Sequence, residues 1–172
     1  MKNKVKTIED VFINHLQQLF YTETMIKNEL SQALQPCCPR LREEILEYTE
    51  SSDNKLLKLE RIFNYLMREP SSKKTLAVAD LIEETSESLD PATPSHIGDI
   101  VLINTLRSIN ACKIAYYKTA YLYAVELELD TPADLLHQIL KWEVECSKTL
   151  AKLAVEHFNN LSMHELSNIA RH

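Results

Sequence analysis

One glycine in 172 residues is the feature that most narrows what this chain can become. Hairpin turns, phosphate-cradling loops and dinucleotide fingerprints need positive φ or close backbone approach, which glycine supplies most readily. Strand-rich and nucleotide-binding folds are therefore not expected, and long helices punctuated by six prolines remain. The length predicts a single domain over residues 1–172 with a core of its own.

Charge narrows the partners. Lys and Arg number 19 against 25 Asp and Glu, a net charge of -6 that repels phosphate backbones and anionic lipid, so neither nucleic acid nor a membrane is an expected partner. The opening MKNKVKTIEDVF is too charged for a signal peptide, and no apolar run approaches the length of a membrane span, which makes the cytoplasm the expected location. Cys37 and Cys38 are adjacent while Cys112 and Cys146 stand alone, so all four are expected as reduced thiols, the latter two packed inside.

Four long helices follow from apolar period and punctuation. The first spans about residues 7–34, with Thr7 as N-cap and Asp10 three residues on, and it stops at Gln35-Pro36-Cys37-Cys38-Pro39. The second, about 40–67, ends at Glu69-Pro70-Ser71-Ser72, and the short loop between the two makes them an antiparallel pair. Lys74 to Ser88 has weaker helical spacing and leads into Asp90-Pro91-Ala92-Thr93-Pro94-Ser95, as a crossover would. The third long helix covers about 96–127. The fourth, about 132–158, opens at Thr131-Pro132-Ala133-Asp134, and Ser162-Met163-His164-Glu165 is a capping box for a short C-terminal helix. Two antiparallel hairpins joined by one long crossover give an all-α, ferritin-like four-helix bundle.

The apolar stripes break at mid-length. Phe12, Leu16, Leu19, Glu23, Ile26 and Leu30 advance in steps of three and four, which places Glu23 on the buried line. Leu136, Ile139, Glu143, Cys146 and Leu150 do the same for Glu143 in the fourth helix. In the third, Leu102, Leu106 and Ile109 lead to Lys113 and Tyr117, with Asn110 one turn before the lysine. In the second, Tyr48 is followed by Ser51 and Ser52 where apolar residues are due. Polar groups directed inward from all four helices are how bundles build metal sites. The alternative for Glu23 and Glu143 is that each snorkels to solvent along a wide groove.

Ile8-Glu9-Asp10-Val11-Phe12, Leu19-Phe20-Tyr21-Thr22-Glu23, Leu59-Glu60-Arg61-Ile62-Phe63, Ile114-Ala115-Tyr116-Tyr117 and the run from Leu135-Leu136 through Glu143 to Leu150 carry a family likeness over roughly residues 7–157. In order and spacing they resemble the DUF892, or YciE/YciF-like, family of ferritin-like proteins. That resemblance implies an antiparallel bundle that commonly dimerises, in a family associated with bacterial stress responses and without an established reaction. It also implies a ligand set: Glu at Glu23, His and Glu at Tyr48 and Ser51, two acids at Asn110 and Lys113, and Glu at Glu143. Only Glu23 and Glu143 match, so the chain is expected to be a divergent member with a degenerate metal site at these six positions. Lys113 is the decisive departure, since an ammonium in the cavity repels a divalent cation. It is expected instead to point inward and pair with Glu23, Glu143 or both.

Other candidates have plainer readings. His96 with Asp99 and Asp134 with His137 have one-turn ligand spacing, but both pairs sit at helix starts where capping residues belong. Glu43-Glu44 and Glu83-Glu84 read as solvated faces, and the seven tyrosines as core and interface filler. No catalytic residue or cofactor-binding residue is expected. The expected function is that of a non-catalytic, metal-free bundle with a structural or stress-associated interaction role, working as a homodimer with no cofactor. The competing expectation is a di-iron or di-manganese oxidase or ferroxidase, with two Fe or Mn, that has recruited acids such as Glu47 or Glu50 on a shifted helix face.

Overall fold

The computed structural model describes residues 6–36, 38–75 and 77–169. Helix α1 covers Ile8–Met25, a π-helical turn covers Ile26–Leu30, and α2 is the short piece Ser31–Ala33. Then follow α3 (Pro39–Tyr65), α4 (Ala77–Ser88), α5 (Ser95–Glu126) and α6 (Asp130–Ile169). Helix α1 packs on α3 and α5, and α6 packs on α3 and α5, which places four long helices around one axis. Pairing of Glu23 with Lys113 and of His15 with Tyr116 sets α1 against α5, while Lys58 with Gln138 and Arg40 with Glu156 set α3 against α6. Helix α4 lies along α5 and buries Val78, Ile82 and Thr85, so the crossover brings α3 and α5 into parallel. The all-α bundle of two hairpins and a crossover is the architecture the sequence pattern predicts.

Starts and stops explain the helix limits. Thr7 caps α1 through a reciprocal capping box with Asp10, each side chain binding the other's backbone N–H, so two of the first turn's orphan donors are satisfied. Pro39 opens α3 at a position where its missing N–H costs nothing. Helices α3 and α5 close on Schellman turns: Arg68 N donates to the Phe63 carbonyl and Met67 N to that of Asn64, and Leu129 and Glu128 repeat this on Ala124 and Val125. Among the described residues the left-handed ones are Met67 (φ 52°) and Glu128 (φ 55°), so these two turns are made without glycine.

Three boundaries differ from expectation. The first long helix does not run unbroken to Leu34. Its π turn accommodates an extra residue, so that Met25 and Ile26 both face inward and Leu30 and Leu34 stay on the buried line. The fourth opens two residues early, at Asp130, and Pro132 falls within its first turn. A separate C-terminal helix is also corrected: α6 continues through Ser162–Glu165 to Ile169. A capping box acts only where the preceding chain leaves the helix, and no proline or glycine breaks this one.

The core falls into two apolar clusters. One gathers Ile26, Leu30, Leu41, Ile45, Leu102, Leu106 and Leu153 with their neighbours, and the other Phe12, Leu16, Leu19, Leu59, Phe63, Leu136 and Ile139. Between them every long helix contributes buried polar side chains: Glu23, Ser52 and Lys55, Asn110 and Lys113, and Glu143.

Met67 offers a direct check on the helix-ending turns. It is 95% exposed, so its side chain packs on nothing that a substitution would lose. A non-glycine residue in the left-handed region costs about 1–2 kcal/mol, and glycine's extra unfolded-state entropy returns about half of that. Met67→Gly should therefore stabilise by roughly 0.5–1 kcal/mol, raising Tm by about 1–4 °C in a thermal melt. A lowered Tm would mean that the turn is not left-handed at Met67.

Candidate functional site

The polar layer is a closed set of charges. Lys113 Nζ lies 2.9 Å from Glu23 Oε1 and 2.9 Å from Glu143 Oε1, with all three side chains fully buried. Lys55, 3% exposed, brings its ammonium to 2.6 Å from Glu143 Oε1. Two carboxylates and two ammonium groups sum to zero. The remaining oxygens are satisfied by neutral donors: Ser52 Oγ donates to Glu23 Oε2 at 2.7 Å, Tyr117 OH to Glu23 Oε1 at 2.8 Å, and Asn110 Nδ2 to Glu143 Oε2 at 2.8 Å. The Lys113 contacts are close but oblique, ion pairs by distance without hydrogen-bond alignment.

Tyr48 forms one wall. Its ring faces both ammonium groups, with Lys113 Nζ 4.7 Å and Lys55 Nζ 5.2 Å from the centroid, so the π face adds to their stabilisation. Burial pushes the Tyr48 and Tyr117 phenols well above their ordinary value, which keeps both neutral hydroxyls. Burial also opposes charge on Lys113, yet the Glu143 and Glu23 carboxylates prevail and lift its pKa well above 10.5. At Lys55 the same two carboxylates act, but burial together with the neighbouring Lys113 outweighs them and lowers it. At Glu143, burial is outweighed by Lys113 and Lys55, and the carboxyl lies below its ordinary 4.5.

The six chamber positions from the sequence thus converge, with one refinement. Glu23, Tyr48, Asn110, Lys113 and Glu143 are buried around one centre. Ser51 is only half-buried: its hydroxyl donates to the Tyr48 carbonyl and accepts from Lys55 Nζ, while Ser52 reaches Glu23. Lys55 is the participant that sequence reasoning missed, although Tyr48, Ser52, Lys55 and Leu59 advance in the same steps of four, three and four. Neither glutamate snorkels to solvent. Glu47 and Glu50, the acids a shifted ligand set would need, are exposed on α3.

These residues do not fit a di-metal centre. Such centres gather four Glu and two His, and here two Glu remain, each already bound to an ammonium at the place a cation would take. A cavity of about 380 Å³ between α3 and α6 reaches this layer from the surface at Tyr48, Ser51 and Lys55, with Glu44, Glu47 and Trp142 nearer its mouth. Of the residues in the two histidine pairs, Asp99 is buried and accepts the Cys38 backbone N–H at 2.9 Å while His96 is exposed; Asp134 accepts from Gln138, and the His137 ring lies 5.4 Å from that of Tyr121, tilted by 41°. Cys112 and Cys146 are free thiols packed partly into the core, and burial drives Cys146 up to about 11. Cys37 lies outside the described residues.

The family described as Domain of unknown function (DUF892) matches residues 7–162. Protein YciF of Escherichia coli strain K12 is 27% identical over 160 residues, spanning 90% of this chain and 95% of that protein. Among solved structures, YcfI of Rhodopseudomonas palustris superposes with a TM-score of 0.83 at 22% identity, covering 88% of this chain and 97% of that one. The E. coli stress protein YciF gives 0.82 at 24%, covering 90% and 99%. At these identities the structural likeness is one of fold. Among the described residues no helix is long and apolar enough to cross a membrane.

Two measurements test the quartet. Lys113→Met alone leaves two buried carboxylates short of charge and should destabilise by roughly 3–5 kcal/mol. Substituting Glu23, Lys55, Lys113 and Glu143 all with Met strands no charge and should cost much less; omitting Lys55 would leave its ammonium unpaired. An unchanged Tm for Lys113→Met would refute the buried pairing. The second measurement is pH. Because the folded pKa of Glu143 is depressed, its contribution is present above about 4.5 and is lost as pH falls through the folded value. The parent should therefore lose more Tm between pH 7 and pH 4 than the quadruple variant, in which the other carboxylates are unchanged. On the alkaline side Lys113, raised, loses stability above 10.5, while Lys55, lowered, offsets part of that loss.

Proposed function

The chain belongs to the DUF892 family, and we propose that within it this protein is a non-catalytic, cofactor-free bundle with a structural or stress-associated interaction role. The observation that carries this reading is the position of Lys113 Nζ, 2.9 Å from each of the two carboxylates that could have been ligands. An ammonium there balances charge as a cation would, but it has no Lewis acidity and no accessible redox state. The remaining inward groups are phenols kept neutral by burial, an amide and hydroxyls, none adjacent to an activated nucleophile.

With no chemistry assigned to the interior, the working part is the surface. Leu57, Leu122, Val125 and Trp142 are each more than 40% exposed, the residue types that interfaces bury. The reading includes a homodimer in the cytoplasm. R. palustris YcfI is described as a proposed structural protein and E. coli YciF as a stress protein, and the role is extended from them to this chain.

The test rebuilds the ligand set. Tyr48→His, Ser51→Glu, Lys55→Gln, Asn110→Glu and Lys113→Glu together would direct donors inward from all four helices. Without metal this variant should melt below the parent, because crowded carboxylates raise one another's pKa. Iron(II) or manganese(II) should then raise its Tm by mass action. In the parent neither metal should produce a rise that depends on Glu23. A parent Tm increase with iron or manganese that Glu23→Gln abolishes would overturn the reading, as would turnover of a ferroxidase substrate lost in the same variant.

A further inference from the structure

A second group of potential ligands lies at the bundle end where α3 and α5 begin. Cys38 is the N-cap residue of α3, Asp99 lies in the second turn of α5, and His157 lies late in α6. One ligand atom from each, the thiol sulfur, a carboxylate oxygen and an imidazole nitrogen, lie within 4.8 Å of one another. We infer that Cys38, Asp99 and His157 form a mononuclear binding site for a divalent cation of the zinc class, outside the polar layer and independent of its chemistry. From Asp99 to Lys113 the α5 axis rises about 21 Å, with the Leu102–Leu106 layer between.

The geometry favours coordination over a nucleophilic relay. A Cys–His–Asp relay sets the imidazole between the other two, with thiol and carboxylate on opposite ring nitrogens and far apart. Here sulfur and oxygen are close to each other as well as to the ring, so all three converge on one point. Tetrahedral zinc with bonds of about 2.0–2.3 Å separates its donors by about 3.3–3.6 Å. From a 4.8 Å limit each side chain needs to move by only about 1 Å, within rotamer relaxation.

Neighbouring contacts hold the three in place. The Cys38 side chain makes no capping hydrogen bond, so the thiol is not spent on its own helix. Asp99 performs that capping from α5, its Oδ2 accepting the Cys38 N–H at 2.9 Å, which fixes carboxylate and cysteine side by side. Arg40 pairs with Glu156, tying the first turn of α3 to the residue before His157. Arg42 donates to the Pro36 carbonyl at 3.0 Å and braces the approach to Cys38.

One sulfur, one nitrogen and one oxygen form a borderline set suited to Zn(II) and its spectroscopic substitute Co(II), with a fourth position left for water or an added ligand. On binding, the Cys38 S–H proton passes to solvent as the metal–sulfur bond forms. Bound metal would join α3, α5 and α6 at this end.

The experiment uses the full chain, reduced, stripped with chelator and titrated with Co(II). One equivalent per chain should give a thiolate-to-cobalt charge-transfer band in the near ultraviolet and the intense visible bands of tetrahedral cobalt, and Zn(II) should displace both. Zn(II) should also raise Tm. Cys38→Ser should remove the charge-transfer band, and His157→Gln should weaken binding by about 10–100-fold or more. Both residues are half-buried, so the variants should keep the parent's helical circular dichroism, which is the control for folding. Glu23→Gln, in the polar layer, should leave the spectrum unchanged. Three results would overturn the site: no cobalt spectrum in the parent, a spectrum that survives Cys38→Ser and so belongs to another thiol, or an affinity indifferent to His157→Gln.

Discussion

Lys113 lodged between Glu23 and Glu143 is the contact on which the register of this bundle depends. The two apolar clusters on either side are built from Leu, Ile, Val and Phe, which accept a neighbour at many heights. The charges do not. Sliding α5 by one turn relative to α1 and α6 would carry Lys113 about 5 Å along the axis into a layer with no carboxylate. A buried ammonium without its partners costs several kcal/mol, so alternative registers carry a penalty that apolar packing cannot match. Ser52, Asn110 and Tyr117 reinforce the choice, each donating to a carboxylate from a different helix.

The same layer balances its own charge. Two carboxylates buried in a bundle interior need two positive charges. Lys113 and Lys55 supply them on tethers, where a single divalent cation would supply them untethered. An ammonium has neither the Lewis acidity nor the redox states of a metal ion, which is the chemical difference between the two ways of balancing these carboxylates. Tyr48, facing both ammonium groups, gives an aromatic surface that suits cations.

Legibility from sequence followed how strongly each feature perturbs the helical pattern. A charged residue on an otherwise apolar stripe leaves a clear mark, and Glu23, Lys113 and Glu143 could be placed from spacing alone. Lys55 leaves a weaker one, because Leu56 beside it also satisfies the apolar period. The π turn after Met25 had no proline or glycine to announce it, as it arises from packing of Ile26 and Leu30 against the partner helices. Ser162–Glu165 misled because a capping box is readable whether or not the preceding helix stops. Nor could sequence bring Cys38, Asp99 and His157 together, since they meet only once three helices are stacked at one end.

Fixing the charges inside has a consequence for titration. Glu143 is held below its ordinary range and Lys113 well above its own, so both keep their charge around neutral pH. The phenols that face them are raised as well, so no proton enters or leaves through them near neutrality. Lys55, lowered by burial and by the neighbouring Lys113, is the member of the quartet whose charge the surroundings weaken. Outside this layer, the half-buried Cys38 and His157 beside the helix-capping Asp99 bring ligand-type side chains from three helices to one end of the bundle.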